Sequence, residues 1–226
     1  MAAQIHSLHD TALLIFARYP FPGKVKTRLA KTLGDEPATA FYRACAEHAF
    51  QECVKLHEGI TRYVFYSESS ERESVMQWAG RGFMFADQGP GDLGERMRRA
   101  FRMVFDSGVR KAVIVGTDVP DISSGSLIEA IRSLDDADTV IGPSRDGGYY
   151  LLGMKKLHDE VFSDIEWSGV NVFTETMKQL EAKRLSVHKM PELADIDTEE
   201  DMRCWYTSAP QEHPLKDLVR SLLVHE

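Results

Sequence analysis

The stretch Leu14–Gly34, "LIFARYPFPGKVKTRLAKTLG", decides how the rest of the chain is read. It opens as an apolar run and breaks at Pro20, Pro22 and Gly23. It then places Lys24, Lys26, Arg28 and Lys31 within eight residues. An apolar strand running straight into a basic turn suits the first strand of an α/β sheet, because ligands of open sheets lie beyond the carboxyl ends of the strands. The prolines stiffen the turn, and Gly23 lets backbone approach a ligand closely. Arg28 can grip phosphate oxygens in a bidentate fashion, while lysines act as point charges. Arg18, Gly23, Lys24, Lys26 and Arg28 are therefore the candidate phosphate-binding set. The loop is not a Walker A loop, since GxxxxGK[ST] is absent. The competing reading is a solvated basic turn with scattered surface ion pairs.

The surrounding chain makes this local charge more informative. The 226 residues carry a net charge of −8, which argues against a general nucleic-acid surface and confines any polyanion contact to one place. A composition of 43% hydrophobic and 27% charged residues is that of an ordinary globular protein. No run approaches 18 apolar residues, so no membrane span is expected. The opening "MAAQIHSLHD" lacks the basic and apolar regions of a signal peptide. Cys45, Cys53 and Cys204 are odd in number and widely spaced, which predicts reduced thiols and a cytoplasmic location. The eight histidines are scattered and read as surface or packing residues.

Apolar runs and helical stripes alternate along the chain. Strands are predicted at 11–17, 61–67, 83–86, 111–116, 138–143, 149–154 and 185–189. Helices are predicted over about 37–57, from Asp92 through an Asp92/Glu95 capping box, from Ser123 to Leu134, near 170–182, and from Thr198 to Tyr206, with a short one after the second strand. This pattern predicts a single-domain α/β fold, a mostly parallel mixed sheet with helices on both faces. The domain is placed at 1–207. Residues 208–226 read as a linker and an amphipathic helical tail, suited either to its own domain or to a partner subunit in a homodimer.

Four carboxylates fall at strand ends. Asp118 in "VIVGTDVPD" follows a continuous apolar run typical of a central parallel strand. A carboxylate beside a phosphate site would repel the ligand unless a hard cation, Mg²⁺ or Mn²⁺, lay between them. The competing reading is a turn or helix-cap residue, a role that suits Asp121 better. Asp146 in "SRDGG" reads equally as a hairpin turn or as a substrate contact, with Tyr149 and Tyr150 available to stack on a sugar or base. Asp195 and Asp197, ahead of a Thr198/Asp201 capping box, could complete a metal site.

Six stretches then carry a resemblance: "FARYPFPGKVKTRLAKTLG", "GDLGERMRRAF", "GTDVPDI", "GPSRDGGYYLLG", "IEWSGVNVF" and "ADIDTEEDM". In this order, over about residues 12–206, they resemble the glycosyltransferase-A-like proteins called selenodomain-associated transferases. More remotely, the chain is similar to phospholactate guanylyltransferases and molybdenum-cofactor nucleotidylyltransferases. The resemblance implies a nucleotide-diphospho-sugar transferase fold, with phosphates on the loop of Lys24, Lys26 and Arg28. It implies a metal on Asp118 with Asp195 or Asp197 near it, and a nucleotide base near Gly91, Gly94 and Arg96. Two departures stand out. Trp167-Ser168-Gly169 replaces the usual WST, and the first loop is proline-rich where nucleotidyltransferases carry a glycine-rich loop ending in RxxxK.

The function expected is a metal-dependent, nucleotide-using transferase. Its first form moves a nucleotidyl group from an NTP to a phosphorylated small-molecule acceptor, with Lys24, Lys26, Arg28, Asp118 and Asp146 as the catalytic candidates. Its second form is glycosyl transfer from a nucleotide-sugar, with Asp146 as base. A non-catalytic nucleotide-binding module is the third reading. The partners expected are a nucleotide and a small acceptor, with neither nucleic acid nor membrane.

Overall fold

The computed structural model describes residues 10–67, 71–167 and 169–224. His6, His9, His225 and Ser168 lie outside the described residues. Seven strands form one sheet in the order β3-β2-β1-β4-β6-β5-β7. They are β1 (Thr11–Ala17), β2 (Ile60–Tyr66), β3 (Met84–Asp87), β4 (Lys111–Gly116), β5 (Thr139–Pro143), β6 (Tyr149–Met154) and β7 (Val187–Lys189). Strand β1 is parallel to β2 and β4, β2 to β3, and β5 to β7, while β6 runs against both β4 and β5. The sheet is therefore mostly parallel and mixed, as the alternation of elements predicts.

Strand β1 shows why both faces are covered. Leu13, Ile15 and Ala17 enter one core with Ala46, Phe50 and Leu127. Ala12 and Leu14 enter a second core with Met97, Phe101 and Leu180. Alternate side chains of a strand face opposite ways, so a strand apolar on both phases must lie between two helical layers. The first layer is α2 (Asp35–Val54), α3 (Arg72–Ala79) and α5 (Ser124–Ser133). The second is α4 (Leu93–Asp106) and α6 (Val172–Ala182). The expected capping boxes Asp92/Glu95 and Thr198/Asp201 form, and Ser123 caps its helix through a further box with Ser126.

Two local expectations change. The predicted helix at 37–57 is preceded by a separate helix, α1 (Thr27–Leu33), so half of the basic stretch is helical. Leu29 is fully buried and Leu33 packs beside it, an i, i+4 pair that the neighbouring basic residues obscured. Gly34, at φ 88°, parts the two helices. Asp121 does not cap a helix: Ser123 does, and Asp121 accepts hydrogen bonds from Trp205 Nε1 at 2.9 and 3.0 Å.

A third core joins α1 and α2 to α7 (Glu199–Ser208) and α8 (Lys216–Leu223) through Leu29, Phe41, Ile196, Trp205, Leu215 and Val219. The C-terminal helix thus packs on its own domain in this structure. Leu215→Ala should cost about 2 kcal/mol or more of stability, the usual loss for a buried leucine. A thermal unfolding midpoint equal to that of the parent would show that α8 adds nothing to the fold.

Candidate active site

The loops after β1, β2, β3, β4 and β7 and the β5–β6 turn emerge at one edge of the sheet. The chain leaves β1 toward β2 and β3, then returns to place β4 on the other side of β1. This topological switch point opens a crevice between the ends of β1 and β4, where open α/β sheets take ligands. A cleft of about 570 Å³ lies there. That is within the range of small-molecule sites.

Two buried side chains hold the crevice in shape. Tyr42 of α2 accepts a hydrogen bond from the Arg18 amide, donates to the Arg18 carbonyl, both at 2.9 Å, and lies 3.2 Å from Thr117 Oγ1. It therefore pins the exit of β1 to the exit of β4. Burial first, and the charge of Asp118 next, hold its phenol above the ordinary range, so it stays protonated. Gln88 Nε2 donates to Phe65 O at 2.9 Å and Ala17 O at 3.4 Å, tying the ends of β1 and β2 to the loop after β3.

The main electrostatic feature is Lys26. Its side chain is 3% exposed, and its Nζ lies 2.6 Å from Asp195 Oδ1, 2.9 Å from Asp197 Oδ1 and 3.6 Å from Asp118 Oδ1. Three loops, after β1, β4 and β7, thereby meet at one ammonium. Lys26 heads α1 in the left-handed region at φ 45°, ψ 44°. That conformation costs a non-glycine residue on the order of 1–2 kcal/mol and needs compensation. The third core supplies the opposing wall. Ala194 and Ile196 are buried while Asp195 and Asp197 alternate outward toward the cleft.

Burial disfavours the Lys26 charge, but the charges of Asp118, Asp195 and Asp197 outweigh it and hold its proton more firmly than usual. For Asp195, burial pushes the carboxyl up, Lys26 pulls it down, and Asp118 and Asp197 push it up again, leaving it above the ordinary carboxylate range. One ammonium serves three carboxylates. The lysine proton is therefore secure, while Asp195, as the pH falls, takes up a proton before an ordinary carboxylate would.

The structure brings Arg18, Lys24, Lys26, Asp118, Asp146, Asp195 and Asp197 to the cleft wall. Gly23, Arg28, Gly91, Gly94 and Arg96 do not line it. Arg28 reaches Asp197 Oδ2 at 3.5 Å. Arg96 Nε donates to Gly91 O at 2.9 Å. A Cβ on Gly94 would lie 2.1 Å from Trp167 Cε2, so the indole takes the face that the missing side chain frees. Asp146 Oδ1 accepts from Ser144 Oγ at 2.5 Å and from the Gly148 amide at 3.0 Å, which shapes the β5–β6 turn and leaves the side chain at the cleft mouth. Tyr150, 5% exposed, is packed over Gly142 and donates to Pro191 O, so it offers no open stacking face. Trp167 instead forms an aromatic wall, edge-on to Tyr149 and stacked on Phe162. Tyr42, Gln88 and Trp167 escape the sequence reading. Only Trp167 carried a signal, in "IEWSGVNVF".

Three carboxylates converging from two loops, Asp118 after β4 and Asp195 and Asp197 after β7, are the donor type a hard divalent cation takes. Their point of convergence is the seat of the Lys26 ammonium. Among the described residues, no group of three His, Cys, Asp or Glu side chains is arranged as a ready metal cage. No described helix is long and apolar enough to cross a membrane.

Comparisons with known proteins agree with this architecture. The family described as "Uncharacterized protein conserved in bacteria (DUF2064)" matches residues 50–169. A structure from Desulfovibrio desulfuricans G20, provisionally described as a nucleotide-diphospho-sugar transferase, is 33% identical with a TM-score of 0.88, over 94% of this chain and 95% of its own. Two others share the fold at low identity. The 4-diphosphocytidyl-2C-methyl-D-erythritol synthase of Anaerococcus prevotii DSM 20548 is 11% identical with a TM-score of 0.58, over 86% and 95% of the two chains. A cytidylyltransferase of Leptospira borgpetersenii is 15% identical with a TM-score of 0.54, over 95% and 94%. No curated protein matches the sequence.

Tyr42→Phe should cost roughly 1 kcal/mol, since it removes the hydroxyl that bonds the part-buried amide and carbonyl of Arg18. The check is denaturant unfolding, and a loss below a few tenths of a kcal/mol would show that the phenol does not pin the crevice.

Proposed function

Since this chain belongs to the DUF2064 family, and its cleft faces a basic loop toward a carboxylate cluster, we propose that it is a nucleotide-using transferase. The reading taken is transfer of a nucleotidyl group from an NTP to a phosphorylated small-molecule acceptor. The observation that carries it is that Arg18 and Lys24, from the loop after β1, line the same cleft as Asp118, from the loop after β4. The Lys24 side chain has no hydrogen-bond or ion-pair partner among the described residues, so its charge is available to a ligand.

An acceptor phosphate oxygen attacks the α-phosphorus. The bond to the bridging oxygen of the β-phosphate breaks, and pyrophosphate leaves with the electron pair. Arg18 and Lys24 neutralise the leaving group, while Arg28, outside the cleft and 3.5 Å from Asp197, adds positive charge behind it, and the work of the site is positioning and charge stabilisation with no side-chain nucleophile. Asp118, with Asp195 and Asp197, would hold Mg²⁺ or Mn²⁺. Such an ion supplies neutralisation of phosphate charge. Lys26 is the group best placed to reach phosphate oxygens once its ammonium leaves the carboxylates. Trp167 and Tyr149 supply an aromatic wall of the cleft, which suits a base or the acceptor. Gly91, Gly94 and Arg96 lie on the loop and helix start beside Gln88, and are read as shaping the base end.

Glycosyl transfer from a nucleotide-sugar is kept as the second reading because of the description carried by the 33% identical relative. There, Asp146 would take the proton of an acceptor hydroxyl.

Asp118→Asn tests the site. Its side chain is 49% exposed and 3.6 Å from Lys26, so stability should change little while metal-dependent nucleotide binding is lost. Normal binding of Mg²⁺-nucleotide by this variant would make Asp118 a turn residue. Thermal shift with a panel of NTPs and nucleotide-sugars, with and without metal, names the donor through mass action. Pyrophosphate release with an acceptor supports nucleotidyl transfer. A shift with a nucleotide-sugar beyond that of its nucleoside diphosphate supports glycosyl transfer, and binding without turnover supports the non-catalytic module.

A further inference from the structure

We propose that Lys26 is an internal cation that occupies the metal seat of the free protein and is exchanged for the divalent ion when ligand binds. The inference rests on the reading of Asp118, Asp195 and Asp197 as the metal-binding group. Its geometry is that of a seated cation: Nζ lies 2.6 and 2.9 Å from Asp195 and Asp197, on the loop after β7, and 3.6 Å from Asp118, on the loop after β4. An ammonium with three donors serves such a cluster in place of a metal. The side chain is 3% exposed, so this is a built position and not a surface encounter.

The same atoms cannot serve both ions at once. A divalent ion bound by Asp195 and Asp197 must displace the ammonium from their Oδ1 atoms. Lysine is suited to this, being a compact charge on a four-carbon stem that can reorient. Lys26 and Lys24 line the same cleft, so the displaced ammonium keeps its protons and turns toward the phosphate oxygens of the nucleotide. The cluster's surplus negative charge is then balanced by the incoming ion, and the freed lysine charge is balanced by the nucleotide. Metal and nucleotide affinities become coupled: each ligand supplies what the other displaces, and by linkage the coupling is reciprocal. The left-handed backbone at Lys26 fits this role, since the ion pairs hold it in a conformation that the residue alone would leave.

The test is Mn²⁺ alone, without nucleotide, titrated into the full chain and read by the electron paramagnetic resonance signal of free aqueous Mn²⁺. Lys26→Met removes the competitor and should bind Mn²⁺ tighter than the parent by on the order of tenfold. Lys26→Arg, which keeps the charge, should not. Equal affinity in parent and Lys26→Met overturns the exchange and leaves the metal reading standing. No Mn²⁺ binding by either overturns both. Should Lys26→Met not fold, reductive methylation of the parent with mass-spectrometric mapping decides. Lys26 should be protected alone and labelled at saturating Mn²⁺, with Lys24 labelled in both states. Protection of Lys26 in the Mn²⁺-saturated protein overturns the proposal.

Discussion

The site is organised by one buried ammonium. Lys26 joins loops that are 92 and 169 to 171 positions away in sequence, since its partners are Asp118, Asp195 and Asp197. Removing an ammonium from water is costly unless opposite charge is close, and the three partly exposed carboxylates are the charge at hand. Its position is inherited from the fold. Leu29 anchors α1 in the third core, and the same core buries Ala194 and Ile196, the residues on either side of Asp195. One apolar cluster thus positions both halves of the ion group.

The crevice around this group follows from topology. Strand β1 is central, pairs with β2 on one side and β4 on the other, and the chain changes direction across it. Every loop that carries a candidate side chain leaves the sheet at this edge. Tyr42 and Gln88 complete the frame by hydrogen-bonding to backbone groups of Arg18, Ala17 and Phe65. Neither contributes charge, and both fix where the charged loops stand. Gly94 admits the indole of Trp167, so the start of α4 and Trp167 close against each other.

Much of this was legible in the chain. The apolar run of β1, the continuous run of β4, the capping boxes at Asp92 and Thr198 and the Ser123 cap are local signals, set by side-chain period and by which side chains can satisfy exposed amides. They place Lys24, Lys26, Asp118, Asp195 and Asp197 at strand ends, and the sheet edge then brings them together. Helix α1 was not legible, because its two leucines sit among basic residues and follow a proline-rich turn. The role of Asp121 was not either, since its partner Trp205 lies 84 positions away.

The sequence by itself determined the α/β class, the order of elements and the candidate side chains at the strand ends, because these depend on periodicity and on turn chemistry within a few residues. Only the tertiary structure decided what each charge faces. Lys26 and Lys24 stand two positions apart and read alike as phosphate ligands, but the side chain of one is buried among three carboxylates, while the other is exposed at the cleft with no side-chain partner among the described residues. That difference arises because the left-handed turn at Lys26 directs its side chain inward, toward aspartates that a distant strand delivers. Pairing between such distant residues is a property of the packed chain and has no local signature.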